Sequence, residues 1–438
     1  MKAQARIAAL IFAALGGLAP AVPAQSTTRT LIHEEDPADA ASRETIAKAE
    51  AAMDRKDFAG AVQICTDYLD NYPDNAAVHF QLGYAYSALG KPDDAEDEYR
   101  NAIEIDPKMG PAYLNLGLTL LDSNPEAALS ALQQASELMP DQPRPKYALG
   151  MALEHAGKDD AAIEQFHEAL KLDGRNFPAQ LELARILLHS KKYPEAENEF
   201  HKAVEIQPNA SAAHLGLAQT LIAENKTADA ATELERYLQT NPKDVDARIE
   251  RASILTDLGR NEEALAELDR ASALRPEIAA TLKLRSLIQF RLKNYDAALA
   301  TLKRIEATTP NDPDVHAKIG HLLLEKKDYA DATNELAMAF HADPTQTEVL
   351  RDLLAAEYLG GNYPATLEGL DLLAKRETLS NGSWFIRASC YDKLGKIQEA
   401  LDAYRKFLEL NAWQTNDQYF LAASRVRTLE RELKDKKK

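Results

Sequence analysis

One pattern returns along almost the whole chain, and it limits the fold more than any other feature of the sequence. Its cleanest copy occupies residues 79–107, HFQLGYAYSALGKPDDAEDEYRNAIEIDP. Leu82, Tyr86 and Leu89 are spaced so that a helix carries them on one face. Gly83, inside that stripe, lets a second helix approach closely. The second helix is predicted over about residues 94–105 and offers Ala95 and Ala102 as small contacts, with Tyr99 filling the space between them. Between the two, Gly90 ends one helix, Asp93 is the expected N-cap of the next, and Glu96 would complete a capping box. Pro107 stops the second helix because it has no N–H to continue the ladder. The unit is a helical hairpin with one apolar flank left over, and only another copy of itself can cover that flank.

Copies follow at a 34-residue period: 42–75, 76–109, 110–142, 143–176, 177–210, 211–244, 245–278, 279–312, 313–346, 347–380 and 381–414. That is eleven units, and the third has lost one residue ahead of Ala128. The alanine that opens each second helix recurs from Ala61 to Ala400 and fails only at Thr366. The closing proline recurs from Pro73 to Pro344, with Gly174 in its place in the fourth unit. The Leu-Gly pair is intact at Leu82-Gly83, Leu116-Gly117 and Leu149-Gly150. It drifts to Leu183-Ala184 and Leu217-Ala218, then to Arg251-Ala252 and Arg285-Ser286. The tenth unit, with Leu353-Leu354 and no final proline, is expected to be a distorted hairpin.

His79-x₂-Leu82-Gly83-x₂-Tyr86, Ala95-x₃-Tyr99 and Pro107 resemble the tetratricopeptide-repeat (TPR) signature, with His79 where Trp is commonest. The resemblance covers nearly all of residues 42–414. It implies an all-α fold, a right-handed superhelical solenoid of stacked hairpins. Beyond it, over 415–438, Tyr419, Phe420, Ala423, Val426, Leu429 and Leu433 recur at helical spacing. They predict an amphipathic helix that caps the last exposed flank, followed by a basic tail.

The N-terminus reads as an export signal over 1–24: Lys2 and Arg6, an apolar run over 7–18, then small residues ahead of Gln25. That run is short and broken by Gly16 and Gly17, so no stable membrane insertion is expected once it is cleaved. Residues 25–41 are polar and aperiodic and read as a flexible acidic leader. The location implied is periplasmic or secreted. A net charge of −18 repels nucleic acid and anionic lipid, so neither is an expected partner. Cys65 and Cys390 fall in the first and last units, too far apart for a disulfide, and read as small buried hydrophobes.

No catalytic motif emerges: there is no Gly-rich phosphate loop, no G-x-S-x-G and no H-E-x-x-H. The acidic doublets Asp93-Asp94, Asp159-Asp160 and Glu262-Glu263 sit at helix starts, where they complement the dipole. His155 and His189 lie one period apart and could share a metal only with Glu154 or Glu182 as a third ligand. The expectation is no metal and no cofactor.

In TPR solenoids the first helix of each hairpin lines the concave surface. The resemblance therefore puts Phe80, Tyr84, Leu114, Asn115, Leu118, Tyr147, Met151, Leu181, Arg185 and Leu215 on an apolar inner wall. The corresponding positions of later units, such as Asp246, Glu250, Lys283, Lys318, Arg351 and Asp352, are more charged. The carboxylate clamp of TPR co-chaperones is absent, since Phe80, Tyr84 and Ala148 replace its polar residues. The sequence thus predicts a monomeric, non-catalytic scaffold that binds a protein or peptide in its groove. A groove-based site for a small ligand or metal is the alternative.

Overall fold

The computed structural model describes residues 37–410 and 417–435. The export signal and residues 25–36 of the leader lie outside the described residues. Every regular element described is an α-helix, and the chain divides into two compact units, Met1–Thr240 and Asn241–Lys438.

The first unit holds six hairpins. Hairpins 1 to 3 are α1 (Pro37–Asp54) with α2 (Phe58–Leu69), α3 (Ala76–Ala88) with α4 (Pro92–Ile105), and α5 (Gly110–Leu120) with α6 (Pro125–Leu138). Hairpins 4 to 6 are α7 (Pro143–His155) with α8 (Asp159–Leu172), α9 (Phe177–His189) with α10 (Tyr193–Ile206), and α11 (Ser211–Ala223) with α12 (Thr227–Thr240).

The second unit holds five hairpins and a final helix. Hairpins 7 to 9 are α13 (Val245–Asp257) with α14 (Asn261–Leu274), α15 (Ala279–Arg291) with α16 (Tyr295–Glu306), and α17 (Pro313–Glu325) with α18 (Tyr329–Ala342). Hairpins 10 and 11 are α19 (Thr347–Leu359) with α20 (Tyr363–Ala374), and α21 (Asn381–Lys393) with α22 (Ile397–Leu410). The last helix is α23 (Asp417–Asp435).

The turn inside each hairpin has one recurring device. A residue with positive φ follows the first helix at Lys56, Gly90, Gly157, Lys191, Asn225, Gly259, Lys293, Lys327, Gly361 and Gly395, always at the same point of the repeat. Glycine is the unstrained choice there, and Lys or Asn accepts the left-handed conformation at some cost. Hairpin 3 has no such residue: the position it lost is the one that turns the chain in every other copy. Asn124 closes that shorter turn instead, accepting a hydrogen bond from Ala127 N at 3.2 Å.

Three sequence expectations shift. The first helix already starts at Pro37, so residues 37–41 belong to it and not to the leader; proline suits a helix's opening turn and alanine its interior. The second helix of hairpin 2 starts at Pro92 with Lys91 as its N-cap, so Asp93 and Asp94 lie within its first turn and do not cap it. Hairpin 10 is a regular hairpin, with Thr366 fully buried in the alanine's place and its hydroxyl donating to Asn362 O at 2.9 Å.

Within both units the second helix of one hairpin packs against the first helix of the next. Several neighbouring first helices also touch one another, while successive second helices stay farther apart. The stack within each unit therefore curves with its first helices on the inside. At the end of the second unit, Ala422 and Leu429 of α23 are buried against Leu401, Tyr404 and Phe407. Arg425 grips Asp392 through two hydrogen bonds of 2.6 and 2.8 Å. Phe420 does not share that face; it is 60% exposed. Among the described residues no helix is long and apolar enough to cross a membrane.

Cys65 and Cys390 are both buried, and burial pushes their thiols up to about 12 and about 11. They serve as small core residues.

Candidate functional site

The inner wall of the first unit is built by α3, α5, α7, α9 and α11. Leu114 is a correction to the sequence reading: it is 4% exposed, part of the core around Leu116 and Leu132, and closed to any guest. Phe80 and Leu118 pack onto that same core while remaining half-buried, and Phe80 leans on Tyr99 with ring centroids 6.0 Å apart. Tyr147 leans on Phe166 at the same separation. Burial raises the hydroxyl pKa of both Tyr84 and Tyr147. Tyr84, Asn115, Met151, Leu181 and Leu215 are half-buried.

Arg185 is already engaged. It donates to Glu182 at 2.5 Å and to Glu154 at 2.7 Å. Burial opposes its charge, but the two carboxylates outweigh that and raise its pKa. The carboxylates that could have joined His155 and His189 in a metal site are thus Arg185's partners. Both histidines are exposed at the ends of their helices.

The second unit carries an apolar site that sequence reading took for a charged surface. A cleft of about 660 Å³ opens on α15, α17 and α19. Leu284, Leu287 and Phe290 contribute the accessible apolar lining over a floor of buried Leu322 and Val349, and Leu287 is 43% exposed. The charges noted in the sequence sit beside it and are largely paired: Lys283 with Asp312 at 3.1 Å, and His321 with Asp352 at 3.0 Å. The signal was present as Leu284, Leu287 and Phe290, three residues apart along one helix. The charged neighbours masked it.

Sequence reading also missed a repeated polar latch. In hairpins 2, 6 and 9, His79, His214 and His316 occupy the same place on the first helix. Each Nδ1 meets a glutamate of the second helix: Glu98 at 2.5 Å, Glu233 at 2.6 Å and Glu335 at 2.7 Å. Each Nε2 donates to the carbonyl of the proline that closes the preceding hairpin, Pro73, Pro208 or Pro310, at 2.7–2.8 Å. Gln180 with Glu199 and Arg248 with Glu267 fill the same places in hairpins 5 and 7. The readable signal is a polar residue six after the closing proline and a Glu nineteen further on.

Burial alone would lower the pKa of His79 and His316, but the hydrogen bonds to glutamate and carbonyl outweigh it and raise both. A raised folded-state pKa adds stability that is complete below the unfolded value, about 6.5, and fades as pH climbs through the folded value. Glu98→Gln is therefore expected to lower the urea midpoint more near pH 6 than near pH 9. A gap of equal size at both would show that the latch carries no proton-linked stability.

A stack of hairpins with an apolar first-helix face defines the class of helical-repeat interaction scaffolds. A family model described as Tetratricopeptide repeat matches residues 52–118, 156–220, 188–244, 221–288 and 289–357. Two more with that description match 114–178 and 382–412. The chain belongs to the tetratricopeptide-repeat family, whose fold is a protein- and peptide-binding scaffold.

Among curated proteins, it is 38% identical over 71 residues to Protein CTR9 homolog of Arabidopsis thaliana, covering 16% of this chain and 6% of that one. It is 33% identical over 107 residues to Small glutamine-rich tetratricopeptide repeat-containing protein 2 of Mycosarcoma maydis, covering 23% of this chain and 30% of that one. The chain thus spans under a third of either relative. A crystal structure of the C-terminal part of a TPR protein from Cytophaga hutchinsonii aligns at 18% identity and a TM-score of 0.48, covering 55% of this chain and 98% of that one.

Proposed function

We propose that this chain is a non-catalytic scaffold whose first-helix faces hold apolar side chains of a protein or peptide partner. The observation that carries this reading is the cleft over Leu284, Leu287 and Phe290, an apolar concavity left uncovered on α15, α17 and α19. Hydrophobic surface of this kind, bordered by charge, suits an extended segment or the apolar face of a helix. Because the hairpins hold the cleft open in advance, little ordering cost remains on binding. The half-buried strip of Phe80, Tyr84, Asn115, Leu118, Tyr147, Met151, Leu181 and Leu215 is the second contact surface of the reading, with Arg185 at its edge tied to Glu154 and Glu182.

The basic start, apolar run and small-residue end of the first 24 residues support export to the periplasm or beyond. The setting proposed is envelope assembly, secretion or polysaccharide export, with the chain acting as a monomer.

Crosslinking capture from the native envelope tests the binding reading. Leu287→Asp, at an exposed position, is expected to cut recovery of the crosslinked partner several-fold while the helical circular-dichroism signal stays unchanged. Tyr84→Ala is expected to weaken capture further. Full capture by the doubly substituted chain would remove the support for a first-helix site.

A further inference from the structure

The latch of hairpin 9 holds a second carboxylate that its sister latches lack. Glu306, the last residue of α16, faces His316 from the preceding hairpin. His316 Nδ1 lies 2.7 Å from a Glu335 oxygen and 3.7 Å from a Glu306 oxygen. One ligand atom from each of the three residues lies within 4.8 Å of the other two.

The protonation pattern follows from the partners. His316 Nε2 meets the Pro310 carbonyl at 2.8 Å, and a carbonyl can only accept, so Nε2 carries a hydrogen. Nδ1 is then the atom turned toward two carboxylates. In hairpins 2 and 6 a single glutamate faces the same nitrogen, and in hairpin 6 that glutamate also pairs with Arg236. In hairpin 9 two carboxylates share one nitrogen, and neither has a Lys or Arg ion-pair partner among the described residues. Glu306 also ends its helix, where the dipole disfavours negative charge. A protonated imidazole leaves this group at net −1. A neutral imidazole with two carboxylates and a divalent cation sums to zero.

We propose that Glu306, His316 and Glu335 bind a divalent transition-metal ion of the zinc type, which ties hairpin 8 to hairpin 9. A nitrogen with two carboxylate oxygens suits zinc and its first-row neighbours better than calcium or magnesium, which prefer oxygen alone. Tetrahedral bonds to zinc separate neighbouring ligand atoms by about 3.3 Å. The separations of 2.7 and 3.7 Å from the imidazole nitrogen bracket that value, and the two carboxylate oxygens lie within 4.8 Å of each other. The bond from Nε2–H to a backbone carbonyl is the outer contact that orients metal-bound imidazoles. The Glu306 and Glu335 side chains are 27% and 20% exposed, which leaves water access to a fourth position.

The test is calorimetric titration of the full-length, tag-free chain with Zn²⁺ in a non-chelating buffer, with thermal melts alongside. Wild type is expected to take up one tight equivalent and to melt at higher temperature with the metal. Glu306→Gln should weaken that site about tenfold or more. It is the variant of choice because its side chain is partly exposed and makes only the longer contact, so the hairpin stays folded. Glu98→Gln, in a sister latch, should leave zinc affinity unchanged. No tight uptake by wild type would overturn the proposal, as would equal affinity in wild type and Glu306→Gln, which would assign the zinc to other histidines.

Discussion

Glu267→Ala is expected to destabilise the second unit by about 3–5 kcal/mol, the loss typical of stranding a buried charge. Glu267 is 2% exposed and its two oxygens accept from three arginines: Arg248 at 2.6 Å, Arg251 at 2.7 Å and Arg270 at 2.6 Å. Arg248 and Arg251 are themselves 9% and 6% exposed, so without the carboxylate they remain charged and poorly hydrated. Arg248 keeps its bond to the Pro242 carbonyl at 2.7 Å, which replaces a hydrogen bond but not a counter-charge. Arg251→Leu should cost far less. Leucine is what the equivalent positions hold at Leu82, Leu116 and Leu149, and Glu267 would retain Arg248 and Arg270. Urea unfolding followed by circular dichroism measures both. A loss below about 1 kcal/mol for Glu267→Ala would mean that water reaches the arginines and solvates them.

The hairpins were legible because their spacing repeats and each unit must bury the same flank. Arg251 and Arg285, standing where leucine is expected, looked like decay of the pattern. The structure instead buries each against a carboxylate, Arg251 on Glu267 and Arg285 on Glu277 at 2.6 Å. An arginine at a core position is readable only together with the acid it meets elsewhere in the fold, and a period-based reading compares a residue with its equivalents, not with its partners. The histidine latches were overlooked for the same reason: pairs one period apart drew notice, while the actual partner lies nineteen residues on in the second helix. For the binding wall, helix periodicity gave the face but not the depth. Leu114 and Leu118 share a side of α5, yet Leu114 is buried in the core and Leu118 half-open.

A similar displacement explains the loss of Gly from the Leu-Gly pair in hairpin 5 and leads to the other large effect. At Gly83, Gly117 and Gly150 an added Cβ would press on Tyr99, Leu132 and Phe166, the bulky residue of the same hairpin's second helix. Hairpin 5 has Ala184 in that place, and room for its bulky residue, Phe200, is made by Gly216 on α11 of the next hairpin. A Cβ on Gly216 would stand 2.2 Å from Phe200 Cε1 and Cζ. The small residue has moved across the junction between hairpins while the large one stayed.

Phe200, 1% exposed, is expected to cost about 3–5 kcal/mol when cut to alanine. Gly216→Ala alone should cost about 1–3 kcal/mol through overpacking, reduced by the higher helix propensity of alanine, about 1 kcal/mol. With Phe200 already removed, the new methyl has space to occupy, and Gly216→Ala should turn neutral or stabilising. The two changes therefore must not add. A double-mutant cycle in urea reads the coupling directly, and additivity within about 0.5 kcal/mol would place Phe200 and Gly216 out of contact and deny that the glycine crossed the junction.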